Sequence, residues 1–124
     1  MKVLWFTMMM VILSVSAMAA EAKGVSVDVL AKSTLSWDGS AMPAYPKGEP
    51  EVTVLKIAIP PHVTLPMHMH PLINAGVLLA GELTVITDEK KTLHLKAGEA
   101  LIEVVNKWHY GINEGDVPAV IVVF

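Results

Sequence analysis

The chain contains no cysteine and no arginine. Without cysteine there is no disulfide framework, no thiolate metal ligand, no thiol nucleophile and no lipid attachment of the bacterial lipoprotein kind. Without arginine, no guanidinium fork can clamp a carboxylate or phosphate through two parallel hydrogen bonds. A strongly anionic ligand would have to rely on lysine, backbone amides or a metal ion. Positive charge is also sparse: nine lysines stand against twelve acids, a formal charge of −3. These lysines are scattered and form no patch that follows a phosphate backbone, which argues against nucleic acid as a partner. A sustained helical apolar period is missing as well.

With 124 residues the chain suits one domain. Residues 1–19 are predicted to be a signal peptide. Lys2 gives a positive start, residues 3–13 form an apolar run broken only by Thr7, and Ala17-Met18-Ala19 fits a small-x-small cleavage pattern. Ala20-Glu21-Ala22 is a second candidate cut. The alternative is an uncleaved anchor, for which the run is short, since a spanning helix takes roughly 20 residues. The expected location is periplasmic or secreted, with no stable membrane span after cleavage. Losing Lys2 leaves eight lysines against twelve acids, or −4.

The mature chain reads as an arm followed by a β domain. In the arm, residues 20–50, Val25, Val27 and Val29 alternate with Ser26 and Asp28, which predicts one strand. The pattern breaks at Trp37-Asp38-Gly39 and turns proline-rich through Pro43, Pro46 and Pro50. From residue 51 to 124 strand and turn follow each other closely. An apolar run over 52–59 stops at Pro60-Pro61, and 76–87 holds two runs divided at Gly81. Residues 84–87 and 92–95 flank a charged turn, with Leu93 and Leu95 facing in. Further strands are predicted over 100–105 and 117–124. The fold class is all-β, a sandwich or barrel in a single domain.

The residues that carry chemistry lie in Met67-His68-Met69-His70-Pro71. Side chains two apart on a strand share a face, so His68 and His70 can tilt toward one ion. His109 follows the 100–105 strand, and a barrel can carry it across to the pair. Three neutral imidazoles suit a borderline divalent metal with positions left for water or substrate.

The chain resembles the cupin superfamily over residues 51–124. The family's first motif is a glycine, five residues, His-x-His, three or four residues, a glutamate, six residues and a glycine. Here His62 stands at the first glycine, His68 and His70 match, Asn74 stands at the glutamate and Gly81 matches the last glycine. The second motif is a glycine, five residues, proline-x-glycine, two residues, a histidine, three residues and an asparagine. Gly98, His109 and Asn113 fall in register, while Val104 and Asn106 occupy the proline and glycine positions. The resemblance implies a small jelly-roll-like barrel with a ligand mouth, a homodimer, and one divalent transition metal held by three histidines and a glutamate.

Asn74 departs from that ligand set. Its amide oxygen can coordinate but is neutral and a weaker donor, which favours Zn²⁺, Fe²⁺, Ni²⁺ or Cu²⁺ over Mn²⁺. Glu103 is the candidate to compensate and the candidate catalytic group, if the face shared by Leu101, Glu103 and Val105 is the inner one; otherwise it is solvated on the outer wall. His62 reads as a loop residue and His94 as solvent-facing. Trp108 and Tyr110 either pack against neighbouring strands or line the mouth. Met67 and Met69 alternate with the histidines and point away from them, which disfavours thioether copper ligation. Three functions fit such a site: a metal-dependent enzyme on a small molecule (oxygenase, or isomerase or lyase), a non-catalytic module holding a ligand or metal, or a structural barrel.

Overall fold

Among the described residues the β-rich sequence is cut into seven short strands, with proline or glycine in every connection except 88–91 and 103–108: β1 (Leu55–Ile59), β2 (Ala75–Ala80), β3 (Glu82–Thr87), β4 (Thr92–Lys96), β5 (Ala100–Ile102), β6 (His109–Ile112) and β7 (Ala119–Val123). They are seen in a computed structural model that describes residues 24–124. The predicted leader and both candidate cleavage sites lie outside the described residues.

Two antiparallel sheets result, one ordered β1-β7-β2-β5 and the other β4-β3-β6. Their inner faces share one apolar cluster. Ile59, Leu78, Leu101, Ala119 and Ile121 come from the first sheet, and Leu83, Val85 and Leu95 from the second. Leu93 packs against that cluster, so the predicted inward pair on β4 stands. The fold is the expected all-β barrel of jelly-roll type.

The glycine positions of the two motifs have a backbone cause. His62, Gly81, Gly98 and Asn106 all adopt positive φ, at 61°, 74°, 91° and 54°. Left-handed backbone suits glycine and is tolerated best otherwise by asparagine, aspartate and histidine. His62 and Asn106 are therefore chemically sensible replacements. At Gly81 space matters too, because an added Cβ would lie 2.5 Å from the Pro118 carbonyl oxygen.

The arm corrects one expectation. Residues 25–29 join no ladder, and Val25, Val27 and Val29 are exposed. Alternation is not sufficient for a strand without a partner to pair with, and this segment finds none among the described residues. The arm docks further along, at the predicted break. The Trp37 N–H donates to the Ile102 carbonyl at 2.9 Å, and Ser36 and Asp38 are buried. The Asp38 carboxylate lies 2.6 Å from the Lys107 ammonium and accepts from Ser40, while Lys91 donates to the Asp38 carbonyl. Burial opposes ionisation of Asp38, but the hydrogen bonds and charge of Lys107, with those from Ser40, prevail and lower its pKa from 3.8 to about 2.

Candidate metal centre

Residues 62–70 run alongside β6 without forming a regular strand. Thr64 bridges to Ile112 and His68 to His109, so four steps on this segment face three on β6. One extra residue is accommodated, a bulge at residues 66 and 67 that reverses which parity faces inward. Leu65 consequently packs against the core, and His68 and His70 also line the interior. Met67 and Met69 are exposed, as alternation predicted.

His109 opens β6, a four-residue strand that periodicity had not disclosed, and is buried. The three imidazoles converge: ring centroids are 5.0 Å apart for His68 and His70, 4.5 Å for His68 and His109, and 4.9 Å for His70 and His109. One nitrogen from each lies within 4.8 Å of the others. Two donors about 2.1 Å from one ion are at most about 4.2 Å apart, so closure asks for a contraction of roughly half an ångström.

Backbone carbonyls select the tautomers. Nδ1 of His68 lies 2.7 Å from the Pro66 oxygen and Nδ1 of His109 lies 2.9 Å from the Lys107 oxygen. A carbonyl only accepts, so each Nδ1 carries the proton and each Nε2 presents a lone pair. Nε2 of His109 is buried and has no hydrogen-bond partner. Burial lowers the pKa of His70; Glu103 pulls the other way, and His109 and His68 reinforce the fall. That keeps the ring neutral, the state a metal requires.

A cavity of about 100 Å³ lies between the histidines and an apolar wall that includes Leu65, Leu83, Val85 and Ile121. Asn74 lines it and is half-buried, while its backbone oxygen accepts from the Glu103 N–H at 2.9 Å. Glu103 also lines it and is buried, which resolves the two orientations open to it in favour of the inner face. One of its oxygens, Oε1, accepts from the Trp37 indole N–H at 3.1 Å and the Val104 N–H at 3.2 Å. The other, Oε2, lies 3.8 Å from Nε2 of His109. Trp37 was read as a break in the arm; its role here depends on a contact 66 residues away, which local pattern does not reveal.

The remaining polar residues stay outside. His62 sits in an exposed turn with Nε2 3.2 Å from an Asp116 oxygen, and His94 is exposed and bonded to Thr84. Trp108 is largely exposed and Tyr110 half-buried, and neither lines the cavity. A larger hollow, about 600 Å³, lies between residues 45–53 and Leu72, Ile73 and Phe124. Among the described residues no imidazole lines it; the candidate metal ligands converge on the smaller cavity.

The model of the cupin domain family matches residues 55–124. The chain is a cupin. No curated protein matches it. Among solved structures, an uncharacterised protein with a double-stranded β-helix domain from Klebsiella pneumoniae is similar at a TM-score of 0.52 and 25% identity, over 56% of this chain and 62% of that one. The cupin domain of Cnp3 from Schizosaccharomyces pombe shares the fold at a TM-score of 0.55 and 17% identity, over 67% and 61%. Oxalate oxidase bound to the substrate analogue glycolate matches at a TM-score of 0.50 and 28% identity, over 56% of this chain and 39% of that one. This cupin therefore spans about three fifths of the first two chains and two fifths of the oxidase.

Proposed function

We propose that this cupin binds one divalent transition-metal ion per chain through Nε2 of His68, His70 and His109 and presents it to a small molecule in the same cavity. The observation that carries this reading is the buried, unpartnered Nε2 of His109 facing two other imidazoles. An orphaned buried acceptor is costly, and a metal ion satisfies all three lone pairs together. Asn74 adds its amide oxygen as a weaker donor. The nitrogen-rich set favours Zn²⁺, Fe²⁺, Ni²⁺ or Cu²⁺ over Mn²⁺.

Such an ion supplies Lewis acidity toward a ligand oxygen. The chain's own residues supply a dry apolar wall that admits a ligand of few heavy atoms. Among the described residues no lysine lines the cavity, and the chain has no arginine, so an anionic ligand depends on the ion for its charge partner. The likeness to an oxalate oxidase bound to glycolate supports a small oxygen-donor acid as substrate and an oxygenase, isomerase or lyase type of reaction. One observation favours a non-catalytic ligand-holding module instead: besides the three histidines, Glu103 is the sole titratable side chain among the described residues that lines the cavity.

Export and self-association complete the proposal. The leader composition supports a periplasmic or secreted mature protein, to be checked by mass spectrometry of the exported chain. The exposed Val25, Val27 and Val29 of the arm and the open edge of β1 support a homodimer, to be checked by light scattering. The central test is elemental analysis and calorimetric titration after reconstitution with Zn²⁺, Fe²⁺, Ni²⁺, Cu²⁺ and Mn²⁺. One ion per chain is expected, with most of it lost in His68→Ala, His70→Ala and His109→Ala. Turnover of small acids and phenols by the loaded protein separates enzyme from binding module.

A further inference from the structure

We propose that Glu103 is the anionic ligand of the metal centre, supplied from just beyond β5 and aimed by Trp37 of the N-terminal arm. The inference rests on the three-histidine metal site proposed above. It assigns the carboxylate to a different part of the barrel from Asn74, which stands at the family's glutamate position.

The two carboxylate oxygens have unlike surroundings. Oε1 is held by two N–H donors, the Trp37 indole and the Val104 backbone. Oε2 takes no hydrogen bond from the described residues and lies 3.8 Å from the orphaned Nε2 of His109. That separation is too long for a hydrogen bond. It does fall inside the span of about 4.2 Å available to two donors sharing one ion; the ligand atoms already within 4.8 Å of one another are those of the three histidines alone, so four-ligand closure asks the Glu103 carboxylate to swing toward His68 and His70. Glu103 is nine-tenths buried, and a buried carboxylate demands a compensating charge, yet among the described residues no lysine lines this cavity. A divalent ion bound beside Nε2 of His109 would supply it once Oε2 swings in, and the carboxylate would in turn reduce the ion's formal charge from two to one. An amide at Asn74 does neither.

The arm is built to hold this arrangement from both sides. Trp37 fixes Oε1. Its neighbour Asp38 is paired with Lys107 at 2.6 Å, and the Lys107 carbonyl orients the His109 ring at 2.9 Å. Adjacent residues of one turn thus govern one ligand each, and partners of this kind tune metal affinity by roughly 10- to 100-fold.

The test uses the full mature chain and Co²⁺, which reports coordination through its visible absorption, with calorimetry for affinity. Glu103→Gln is expected to weaken Co²⁺ binding roughly 10- to 100-fold and to change the band shape and intensity. Asn74→Ala should weaken it less and leave the spectrum close to the parent's. Trp37→Phe keeps the ring and deletes the indole N–H; it should weaken Co²⁺ several-fold in the parent and add little on top of Glu103→Gln. That lack of additivity is the signature of one residue acting through the other. Should Glu103→Gln not fold, judged by circular dichroism, Trp37→Phe against Asn74→Ala decides alone. A Glu103→Gln protein with parental affinity and spectrum overturns the proposal while leaving the three-histidine site intact. So does an Asn74→Ala loss exceeding that of Trp37→Phe and Glu103→Gln. A parent that takes up no ion overturns both readings.

Discussion

His68 and His109 face each other across an antiparallel bridge in which each backbone N–H donates to the other's carbonyl at 2.9 Å. Two of the three imidazoles are thus spaced by the main chain and not by side-chain packing. The third, His70, is tied on by its own carbonyl, which accepts from the Asn106 N–H at 2.8 Å. A site prepared this way should bind its ion without refolding, and binding should add directly to stability. At a free Zn²⁺ concentration about 100 times Kd the gain is about 2.7 kcal/mol. For a domain near 100 residues each kcal/mol moves Tm by roughly 4–8 °C, so calorimetry should show a rise of about 10 °C or more. In His70→Ala, which changes a half-buried residue, the metal-free protein should melt close to the parent and the rise should vanish.

Metal affinity should be flat above about pH 7 and fall below about pH 6, because protons and metal compete for the same lone pairs. Burial sets the sign for His70: its lowered pKa keeps that ring neutral to more acid pH than an ordinary imidazole. Titrations with Zn²⁺ at pH 5.5, 6.5 and 7.5 measure this. Affinity that strengthens toward acid would contradict imidazole ligation.

Acid should release the arm turn. Asp38 has its pKa lowered from 3.8 to about 2, so its contribution is fully present above the unfolded value and is lost as pH falls from about 4 to 2. Allowing for solvent screening, it amounts to about 1–2 kcal/mol. Denaturant melts at pH 7, 4 and 2.5 should show Asp38→Asn less stable than the parent at neutrality, with the gap reduced to roughly a third at the acid end.

Asn113 is fully buried, and its amide nitrogen lies within 3.2 Å of the carbonyl oxygens of Ile59, Pro60 and Val117. Its own oxygen accepts from the Gly115 N–H. Asn113→Asp turns a donor toward those carbonyls into an acceptor and should cost about 3 kcal/mol or more. Urea unfolding of Asn113→Asp and Asn113→Ala should rank Asp as the worse, although it preserves shape.

The left-handed positions should separate by space. Gly81→Ala combines positive φ with a Cβ 2.5 Å from a backbone oxygen and should lose roughly 2–4 kcal/mol or fail to fold. His62→Gly, at φ 61° in an exposed turn, should be neutral or slightly stabilising. Thermal melts of the two variants test whether backbone conformation explains the motif glycines.

Legibility tracked whether the cause was local. The hairpin of β3 and β4 and the break at Gly81 could be read directly, since two-residue alternation and turn residues report on near neighbours. The histidine triad could be read because residue type and spacing matched a known pattern. The bulge at residues 66 and 67 was invisible, as it depends on register against β6. Residues 25–29 misled because alternation describes a face, not the partner that covers it. Trp37 escaped notice for a similar reason: its place beside Glu103 exists only once β5 is formed and the arm has folded back.

Strand order has a consequence for the timing of assembly. β7, the seventh strand in the chain, lies between β1 and β2 in the larger sheet. β1 and β2 therefore cannot occupy their places on either side of it until residues 119–123 arrive. During synthesis the earlier strands wait with their edges open, which leaves them prone to edge-to-edge association until β7 arrives. Because the closing contacts join residues more than forty positions apart, such as Leu78 with Ile121, the sheet should form slowly and all at once.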